Sequence, residues 1–596
     1  MITPLERAQV LHQAAMDSAE EAFLAARRGE RAVAIELYRH ACRQEARAAD
    51  GLAEGGPEVE PTRSILYRSA ATLALRCRQL DEAQRLATQG LAGQPPNEIA
   101  QELREILAEA EGEKQRFLAS THPGPAPDGP KLYLTGLNRR GAYLSPPTSW
   151  ARVVERSFAD RWQSPPAWIL GDEDMIDPRR APAPDFKKPW DLSETGWGVV
   201  FAPDLDRRVR SQLEELLEHR RRQAGRIHSS YFQEYTYRAK SAFEFVKSNK
   251  GKPGAPANPD HLPYHLLLVG HPESLPYHVQ SELDASYAVG RLWFDRVEDY
   301  GTYARNVVRI EEQWRPRPKE IAFFGPEHKN DPATQKTCRE LVQGLAQSVI
   351  EPGMPWQART VVGDEANKER LRALLGGAET PAFLFAACHG LGLQLGDEWQ
   401  EALQGALVCQ DWPGPDDEIG VGDEQIFAAT DVPPGASLNG LVAFLYACYG
   451  LGTPQRDNFD QDTPGRPRPI APRSLVSRLP QQLLSSGALA VIGHVDRAWI
   501  DSFEGSPQGE GLDAILYLIR RLLKGHTVGS AMEFINQSYS ALAAMQGNLD
   551  EAFRYKYEID RELWTRLWLL RNDARNFMVF GDPAVRLPGV GESPTG

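Results

Sequence analysis

From residue 264 onward, short runs of consecutive apolar residues alternate with longer segments of helical character. Few polar residues interrupt the runs, which is typical of strands buried on both faces. Segments such as DYGTYARNVVRIEEQW and EGLDAILYLIRRLLKG separate most of them. This alternation predicts an α/β fold with a mostly parallel sheet flanked by helices. The predicted strands are HLLLVGHP, EIAFFGP, AFLFAACHG, ALVCQDW, LVAFLYACYG, ALAVIGHV and NFMVFGDP.

Residues 5–117 have a different pattern and are predicted to be helical throughout. Two stretches share one template, GERAVAIELYRHA (29–41) and RQLDEAQRLATQG (78–90). Small residues stand at matching positions: Ala34 and Ala41 in the first stretch, Ala83 and Gly90 in the second. Small residues let antiparallel helices approach closely, as tetratricopeptide-type hairpins require. The alternative is a plain helical bundle, and in either form we expect this region to bind a partner or regulator.

Two stretches between these regions have the composition of linkers. STHPGPAPDGP (120–130) and NKGKPGAPANPDHLP (249–263) are rich in proline and glycine. The segments KLYLTGL (131–137) and GWGVVFAP (196–203) predict strands, and LDRRVRSQLEELLEHRRRQAG (205–225) predicts an amphipathic helix. A smaller α/β region is therefore expected to precede the main one.

Composition restricts the class of protein. The chain has 596 residues, a net charge of −14 and 41% hydrophobic residues, as in soluble multidomain proteins. The negative charge disfavours nucleic-acid binding, because phosphate recognition needs a positive surface. No apolar run is long enough to span a bilayer, and MITPLERAQVLHQAAMDSAE lacks the apolar core of a signal peptide. Six cysteines without a CxxC pair fit a reducing compartment, so a cytoplasmic protein is expected.

Reactive side chains stand at the carboxyl ends of two of the predicted strands. FAACHG ends at His389 and Gly390, and FLYACYG ends at Cys448, with the histidine earlier in the chain. A cysteine attacks a carbonyl as the thiolate, and a neighbouring imidazole can take the thiol proton. The alternative for each residue alone is structural, a small core cysteine and a buried histidine. Their joint placement at the carboxyl edge of one sheet favours catalysis, with His494 as a second candidate base.

These residues resemble a known family. Ala447-Cys448-Tyr449-Gly450, with a histidine about fifty residues upstream, resembles the caspase-type arrangement. More closely, the chain resembles the CHAT and gingipain-like cysteine peptidases of clan CD, which have the caspase–hemoglobinase fold. The resemblance covers residues 264–590, and CHAT proteins often carry tetratricopeptide repeats. It rests on HLLLVGHPESLP, LDASYAVGRLWFD, AACHGLG, FLYACYGLGTP, GALAVIGHVDRAW and FMVFGDPAVRL.

The resemblance implies a cysteine endopeptidase. Cys448 would be the nucleophile, and His389 the base that later protonates the leaving amine. The backbone N–H groups of Gly390 and Cys448 would form the oxyanion hole. In the gingipain branch an acidic residue assists the histidine, and Glu273 falls at the corresponding place. The alternative for Glu273 is an ordinary turn residue.

The resemblance also indicates substrate-binding residues. Asp284 corresponds to the aspartate that binds a basic side chain before the cleaved bond, and the alternative for it is a capping residue. Asp496 is the other candidate for the acidic residue that binds this basic side chain, because the segment after strand 488–493 lines the cleft in this fold. Trp499 is a candidate apolar wall of the pocket or a core residue. Tyr446 stands where basic-selective relatives often carry aspartate, which argues against arginine or lysine selectivity.

The segment TPQRDNFDQDTPGRPRPIAPR (453–473) follows the candidate nucleophile directly. It is polar and rich in proline, so the sequence predicts no regular structure for it. In caspase-like folds an activation or substrate-ordering loop lies here. The hypothesis is a loop that is disordered in the inactive protein and cut at its own arginines. A solvated surface loop is the alternative.

The sequence therefore predicts a cytoplasmic caspase-like cysteine protease that cleaves one protein target. Family analogy places such proteins in bacterial defence and cell death, where the target can be a gasdermin-like pore former. The alternative is a catalytically silent caspase-like scaffold. No metal or cofactor is expected, because neither a GxxxxGK[ST] loop nor HExxH is present. No nucleic acid or membrane is expected either, given the negative charge and the lack of a long apolar run. The predicted domains are a helical domain at 1–118, a linker at 119–130, an accessory pseudo-caspase-like region at 131–262 and the protease domain at 263–596.

Overall fold

The structure of the protein is a computed structural model. It describes residues 3–27, 31–52, 59–77, 79–120, 131–132, 136–145, 147–159, 188–255, 257–313, 318–376, 379–416, 420–463, 466–499, 511–554 and 559–589. These residues form a helical unit up to Ser120 and an α/β unit that holds nearly everything from Lys131 onward. Within these ranges, no helix combines the length and apolarity that a bilayer crossing needs. Most of the predicted linker 119–130 lies outside the described residues.

The N-terminal unit consists of helices in its described part, as the sequence predicts. The helices are α1 (Pro4–Arg27), α2 (Arg31–Asp50), α3 (Thr62–Arg76), α4 (Leu80–Leu91) and α5 (Asn97–Ser120). Each packs on the next one along the chain, and α3 also packs on α5. Ala41 and Ala83 are fully buried. A Cβ atom at Gly90 would lie 2.9 Å from Leu103 and 3.1 Å from Tyr67, so the small residue allows close helix packing. The tetratricopeptide assignment stays a prediction.

The α/β unit contains the strands and the remaining helices. The strands are β1 (Lys131–Leu132), β2 (Gly136–Leu137), β3 (Thr148–Ser149), β4 (Trp197–Phe201), β5 (Phe232–Thr236), β6 (His265–Val269), β7 (Ala288–Leu292), β8 (Glu320–Gly325), β9 (Gln357–Val362), β10 (Phe383–Ala387), β11 (Gly390–Leu391), β12 (Leu407–Val408), β13 (Ile426–Phe427), β14 (Val442–Tyr446), β15 (Gly452–Thr453), β16 (Arg456–Thr463), β17 (Arg466–Pro469), β18 (Leu475–Val476), β19 (Ala490–His494) and β20 (Phe577–Gly581). The helices are α6 (Trp150–Ala159), α7 (Leu192–Thr195), α8 (Arg207–Gln212), α9 (Glu214–Ala224), α10 (Ala242–Ser248), α11 (Tyr277–Asp284), α12 (Val297–Gln313), α13 (Pro332–Lys336), α14 (Gln343–Ser348), α15 (Lys368–Leu374), α16 (Gln400–Leu403), α17 (Arg478–Ser485), α18 (Gly511–Leu523), α19 (Val528–Ala531), α20 (Glu533–Arg554) and α21 (Arg561–Asn576).

A ten-stranded sheet is the centre of this unit. Its strand order is β5-β4-β6-β7-β20-β19-β14-β10-β8-β9, and β20 is antiparallel to its neighbour β19. Every residue of β6, β7, β10, β14, β19 and β20 is buried, which explains why these strands are mostly apolar. The predicted mostly parallel sheet with flanking helices is confirmed, and it is compatible with a caspase-like fold.

The sheet runs across the boundary that the sequence predicts near residue 262. β4, from the accessory region, pairs in parallel with β6, and Trp197 lies opposite His265. β5 extends the sheet beyond β4. The two regions therefore share one sheet, although their separation into domains stays a prediction.

A smaller sheet of four strands lies beside the carboxyl edge of β10. Its order is β13-β12-β11-β2. β11 begins directly after His389 and pairs in parallel with β2, with Gly390 opposite Gly136. A segment from before the main sheet is thereby attached beside the candidate histidine.

The prediction of irregular structure for residues 453–473 is wrong. β16 and β17 form an antiparallel pair in which Arg456 lies opposite Pro469. Proline is tolerated here because a two-stranded ladder leaves N–H positions that face away from the partner. Asp457, near the start of β16, is buried against Arg497 and anchors the pair to the α/β unit.

Candidate active site

His389 and Cys448 occupy matching register positions at the carboxyl edge of the main sheet. β10 and β14 pair in parallel with Ala387 opposite Tyr446. The amide of Cys388 donates to the Tyr446 carbonyl at 3.2 Å, so the pairing continues past the strands. Two residues beyond the last pair, the same register reaches His389 and Cys448. The structure therefore brings together the two residues that the sequence selects.

Gly390 permits close contact between the two strand ends. A Cβ atom at this position would lie 1.9 Å from the Cys448 carbonyl oxygen. Only glycine therefore lets the chain after His389 pack against the Cys448 peptide. The predicted oxyanion role of the Gly390 N–H stays a prediction.

A buried carboxylate, Asp331, holds His389. Nε2 of His389 lies 2.7 Å from Oδ2 of Asp331, and both side chains are closed to solvent. Asp331 caps the amino end of α13 by accepting from the Ala333 amide. The Thr334 hydroxyl donates to the same Oδ2 atom at 2.6 Å, and the Tyr143 hydroxyl donates to Oδ1. These contacts fix the carboxylate in one orientation.

The electrostatics of this pair define the histidine tautomer. Burial on its own would raise the pKa of Asp331, but the charge of His389 and hydrogen bonds from His328, His389 and Thr334 lower it well below its ordinary range. An ionised carboxylate only accepts hydrogen bonds, so Nε2 of His389 is the donor. In the neutral ring Nδ1 then carries the lone pair, and it has no hydrogen-bond partner among the described residues. Nδ1 is thus the atom suited to take a proton.

Aromatic rings set the plane of the His389 imidazole. Tyr143 and Trp412 meet it edge to face, with centroid distances of 5.8 Å and 6.0 Å. His328 is stacked beside it at 6.3 Å. Packing on these sides limits rotation of the ring and preserves the bond to Asp331.

Cys448 lies in a tight turn with an unusual backbone. The Gly450 amide donates to the Ala447 carbonyl at 3.1 Å, and Tyr449 has φ +58°, a left-handed conformation that bulky residues rarely adopt. The Tyr449 amide donates to Asp496 at 2.8 Å, and its carbonyl accepts from Ser477 at 2.6 Å. The surrounding structure thus holds the strained turn in place.

The Cys448 sulfur is embedded rather than open. The amide of Ala498 donates to Sγ at 3.2 Å. A Cβ atom at Gly136 would lie 3.1 Å from the same sulfur, so the segment 136–145, called here the cover segment, begins in contact with it. In this cover segment, Ser145 accepts a hydrogen bond from Arg497. Cys448 and His389 are both fully buried, so neither side chain is open to solvent in this structure.

Two other predicted residues lie elsewhere. Glu273 accepts from the Ser474 amide at 2.8 Å, and the carboxylate bonded to His389 is instead that of Asp331. Asp284 is buried at the end of α11, where burial raises its pKa well above the ordinary value despite the Val289 amide and Arg291. A carboxylate buried at this position is poorly placed to bind a substrate side chain.

Asp496, Trp499 and His494 lie around the turn that holds Cys448. Asp496 contributes its carbonyl to Tyr449, while its carboxylate accepts from the Arg497 amide at 2.8 Å. Trp499 belongs to a buried apolar cluster with Trp564 and Trp568.

The second candidate base is also buried. His494 packs against Tyr446 and against Phe577, whose ring centroid lies 4.0 Å away. It lies 3.3 Å from Asp573. Unlike His389, it is the last residue of β19, which flanks β14 on the side opposite β10, and it is packed among core rings.

Asp331 is the site residue that the sequence reasoning missed. It follows β8, the neighbour of β10, in the segment PEHKNDPATQK. The carboxyl ends of three adjacent strands thus supply Asp331, His389 and Cys448. His389 and Cys448 were selected because they stand at the carboxyl ends of neighbouring strands. The same criterion, applied to β8, would have pointed to this segment.

Comparisons with known proteins give weak similarities. No protein-family model and no curated protein matches the chain. One solved structure, described as a protease, is 13% identical, with 67% of this chain and 80% of that chain covered and a TM-score of 0.37. The Saccharomyces cerevisiae separase–securin complex is 10% identical, with 97% of this chain and 40% of that chain covered and a TM-score of 0.28. Both TM-scores are too low to assign an activity. Among the described residues, no group of three or more His, Cys, Asp or Glu could hold a metal ion.

Proposed function

We propose that this protein is a cysteine endopeptidase with Cys448 as nucleophile and His389 as base. One observation supports it above the others. His389 lies level with Cys448, is held through Nε2 by the buried Asp331, and has Nδ1 without a partner in the described part of the chain. A nucleophile, a base and a group that orients the base are the parts that thiol catalysis requires.

The chemistry follows from these positions. Nδ1 of His389 takes the proton of the Cys448 thiol, and the thiolate attacks the peptide carbonyl to give a tetrahedral intermediate. The carbon–nitrogen bond then breaks, and Nδ1–H protonates the leaving amine. Water, deprotonated by the same nitrogen, hydrolyses the thioester and regenerates the thiol. Asp331 keeps the ring in one tautomer and stabilises the imidazolium, as the third member of such triads does.

The oxyanion would be held by backbone amides. The N–H groups of Gly390 and Cys448 flank the carbon that the sulfur attacks in related folds. The strained turn at Tyr449 supports this assignment, because it keeps the Cys448 peptide in a fixed orientation. These donors remain part of the proposal.

Buried catalytic residues favour regulated cleavage of one protein over digestion. The resemblance to CHAT proteins adds a target in bacterial defence or cell death, such as a gasdermin-like pore former. The helical unit is the proposed site for an activator or regulator. It contains a cavity of about 690 Å³ lined by side chains of both charges, among them Arg68, Arg76, Glu102 and Glu105.

Labelling with a thiol-reactive peptide ketone tests the proposal. Intact mass should show one adduct on the wild-type protein, none on C448A and strongly slowed labelling of H389A. C388A is the matched control, because Cys388 is an equally buried neighbour of His389. Burial raises the pKa of Cys388, so it should remain unreactive. Equal labelling of wild type and C448A would indicate a silent scaffold, and loss of labelling in H494A but not H389A would reassign the base.

A further inference from the structure

Arg497 lies beside the candidate nucleophile. It directly precedes Ala498, whose amide donates to the Cys448 sulfur at 3.2 Å. Its Nε donates to the Tyr449 hydroxyl at 3.4 Å, and Tyr449 directly follows Cys448 in the chain. The side chain before a cleaved bond departs from the carbon adjacent to the attacked carbonyl. A guanidinium in contact with the turn that holds Cys448 is therefore within reach of that side chain.

The partners of this guanidinium come from two other segments, β16 and the cover segment. Its NH2 group is paired with the Asp457 carboxylate of β16, and NH1 donates to Ser145 of the cover segment. Arg497 and Asp457 are both buried. When the covering segments move away for a substrate, Arg497 loses its bonded carboxylate and a hydroxyl. A buried cation without an anion is costly, so the open site favours a negatively charged ligand.

The group expected to bind this substrate side chain, Arg497, is positively charged, whereas the family resemblance suggests a negatively charged one. Asp284 lies buried beside Arg291, and the Asp496 carboxylate bonds the Arg497 backbone amide. Burial lowers the pKa of Arg497, but Tyr449, Asp457 and Asp496 raise it overall, so the guanidinium stays charged. A basic substrate side chain would meet a cation of the same charge.

We propose that Arg497 binds an aspartate or glutamate side chain immediately before the cleaved bond, and that Asp457 occupies this site in the absence of substrate. The proposal rests on the function proposed above and gives its substrate class. Asp457 acts as an internal competitor: its carboxylate makes the contact that the substrate carboxylate takes over. β16 and β17 present it from the segment that directly follows the turn that holds Cys448.

Three peptidyl acyloxymethyl ketones that differ only in the first residue, Asp, Arg or Ala, test the proposal on the full-length protein. The rate of Cys448 labelling is followed by intact mass. The Asp ketone should label at least about tenfold faster than the other two, as expected for a charge-assisted contact to arginine. D457N should accelerate labelling by the Asp ketone several-fold, because asparagine keeps the shape of the competitor and loses its charge. R497K should lose most of the Asp preference, because lysine lacks the planar guanidinium that binds carboxylates.

The control variant is E401Q. Glu401 forms an exposed ion pair at 3.0 Å with Arg473, at the other end of the 453–473 segment, so E401Q removes a similar carboxylate that is paired with Arg473 and not with Arg497. It should leave all three rates unchanged. The proposal is overturned if the Arg or Ala ketone labels as fast as the Asp ketone, or if D457N and E401Q behave alike. In either case, labelling of Cys448 that still requires His389 would leave the peptidase function intact. Absence of labelling by every ketone on both wild type and D457N would overturn the function and the proposal together.

Discussion

Nε2 of His389 donates a hydrogen bond to Oδ2 of Asp331 across 2.7 Å, and neither side chain is exposed to solvent. The bond joins the carboxyl ends of β8 and β10, which pair in parallel. It turns Nδ1 into the proton-accepting atom of the ring, and Nδ1 is the atom through which His389 would act on Cys448.

Replacing Asp331 with asparagine should reduce activity while preserving the fold. Asparagine caps helices as well as aspartate does, so α13 should persist. An amide can donate to Nε2, which stabilises the wrong imidazole tautomer, and the rate of Cys448 labelling should fall by on the order of 10² to 10⁴. Labelling kinetics at Cys448 together with thermal unfolding would measure both effects. An unchanged rate with an unchanged melting temperature would exclude Asp331 from the mechanism.

Gly390 should be irreplaceable even by alanine. The added methyl group would clash with the Cys448 carbonyl oxygen, which lies 1.9 Å from the Cβ position. G390A should therefore separate the two strand ends, abolish labelling of Cys448 and lower the melting temperature. G422A is the control, because a Cβ atom there would lie 3.7 Å from its nearest contact, Gln425. If G390A matched G422A in both measurements, the close strand contact would have no functional role.

Loosening the cover segment should expose Cys448. Leu144 packs over Gly136 and Gly392, where added Cβ atoms would lie 2.4 Å and 2.5 Å from its methyl groups. L144A removes apolar contact worth roughly 1–2 kcal/mol, so alkylation of Cys448 by iodoacetamide should accelerate about five- to thirtyfold. Leu395, which is 48% exposed, provides the control variant L395A. Equal alkylation rates in L144A, L395A and wild type would show that residues 136–145 do not restrict access.

Glu282 should make stability depend on pH. Burial raises its pKa to about 7, against the smaller effects of the Ala242 amide and Arg575, and its Oε2 has no hydrogen-bond partner among the described residues. An unfolded glutamate titrates near pH ~4.3, so between there and about 7 the folded state retains a proton that the unfolded state has released. Stability therefore falls as the pH rises through this window and changes no further above it.

The variant E282Q isolates that effect. Glutamine does not titrate, so E282Q should match wild type at low pH and exceed it above pH 7 by roughly 1–3 kcal/mol. Thermal unfolding of both proteins at several pH values would reveal the divergence. E340Q, at an exposed glutamate, should run parallel to wild type. Parallel curves for E282Q as well would show that Glu282 ionises normally.

Some of this architecture could be predicted from the sequence because it depends on local pattern. Strands buried on both faces have continuous apolar runs, and residues that close neighbouring parallel strands must share an edge. His389 and Cys448 could be selected in this way. Gly390 could be selected as well, as the glycine that follows the histidine.

The rest depends on contacts between distant residues. Asp331 lies in a polar segment beyond its strand, and only the tertiary fold directs it at His389. The pairing of β16 with β17 was missed because its anchor, Asp457, is buried by Arg497, 40 positions away. The contact of Ser145 with Arg497 spans 352 positions, which no local pattern reports.

The pairing of β2 with β11 has a mechanical consequence. Each of these strands is two residues long, and their pairing holds the cover segment beside the first residue after His389. So short a ladder adds little to the stability of the whole unit, so residues 136–145 can separate from β11 while the main sheet stays paired. The activator proposed above therefore need not reshape the main sheet. It has only to bind residues 136–145 more strongly than β11 does. The fraction of molecules in which these residues are displaced from β11 then rises with the concentration of the activator.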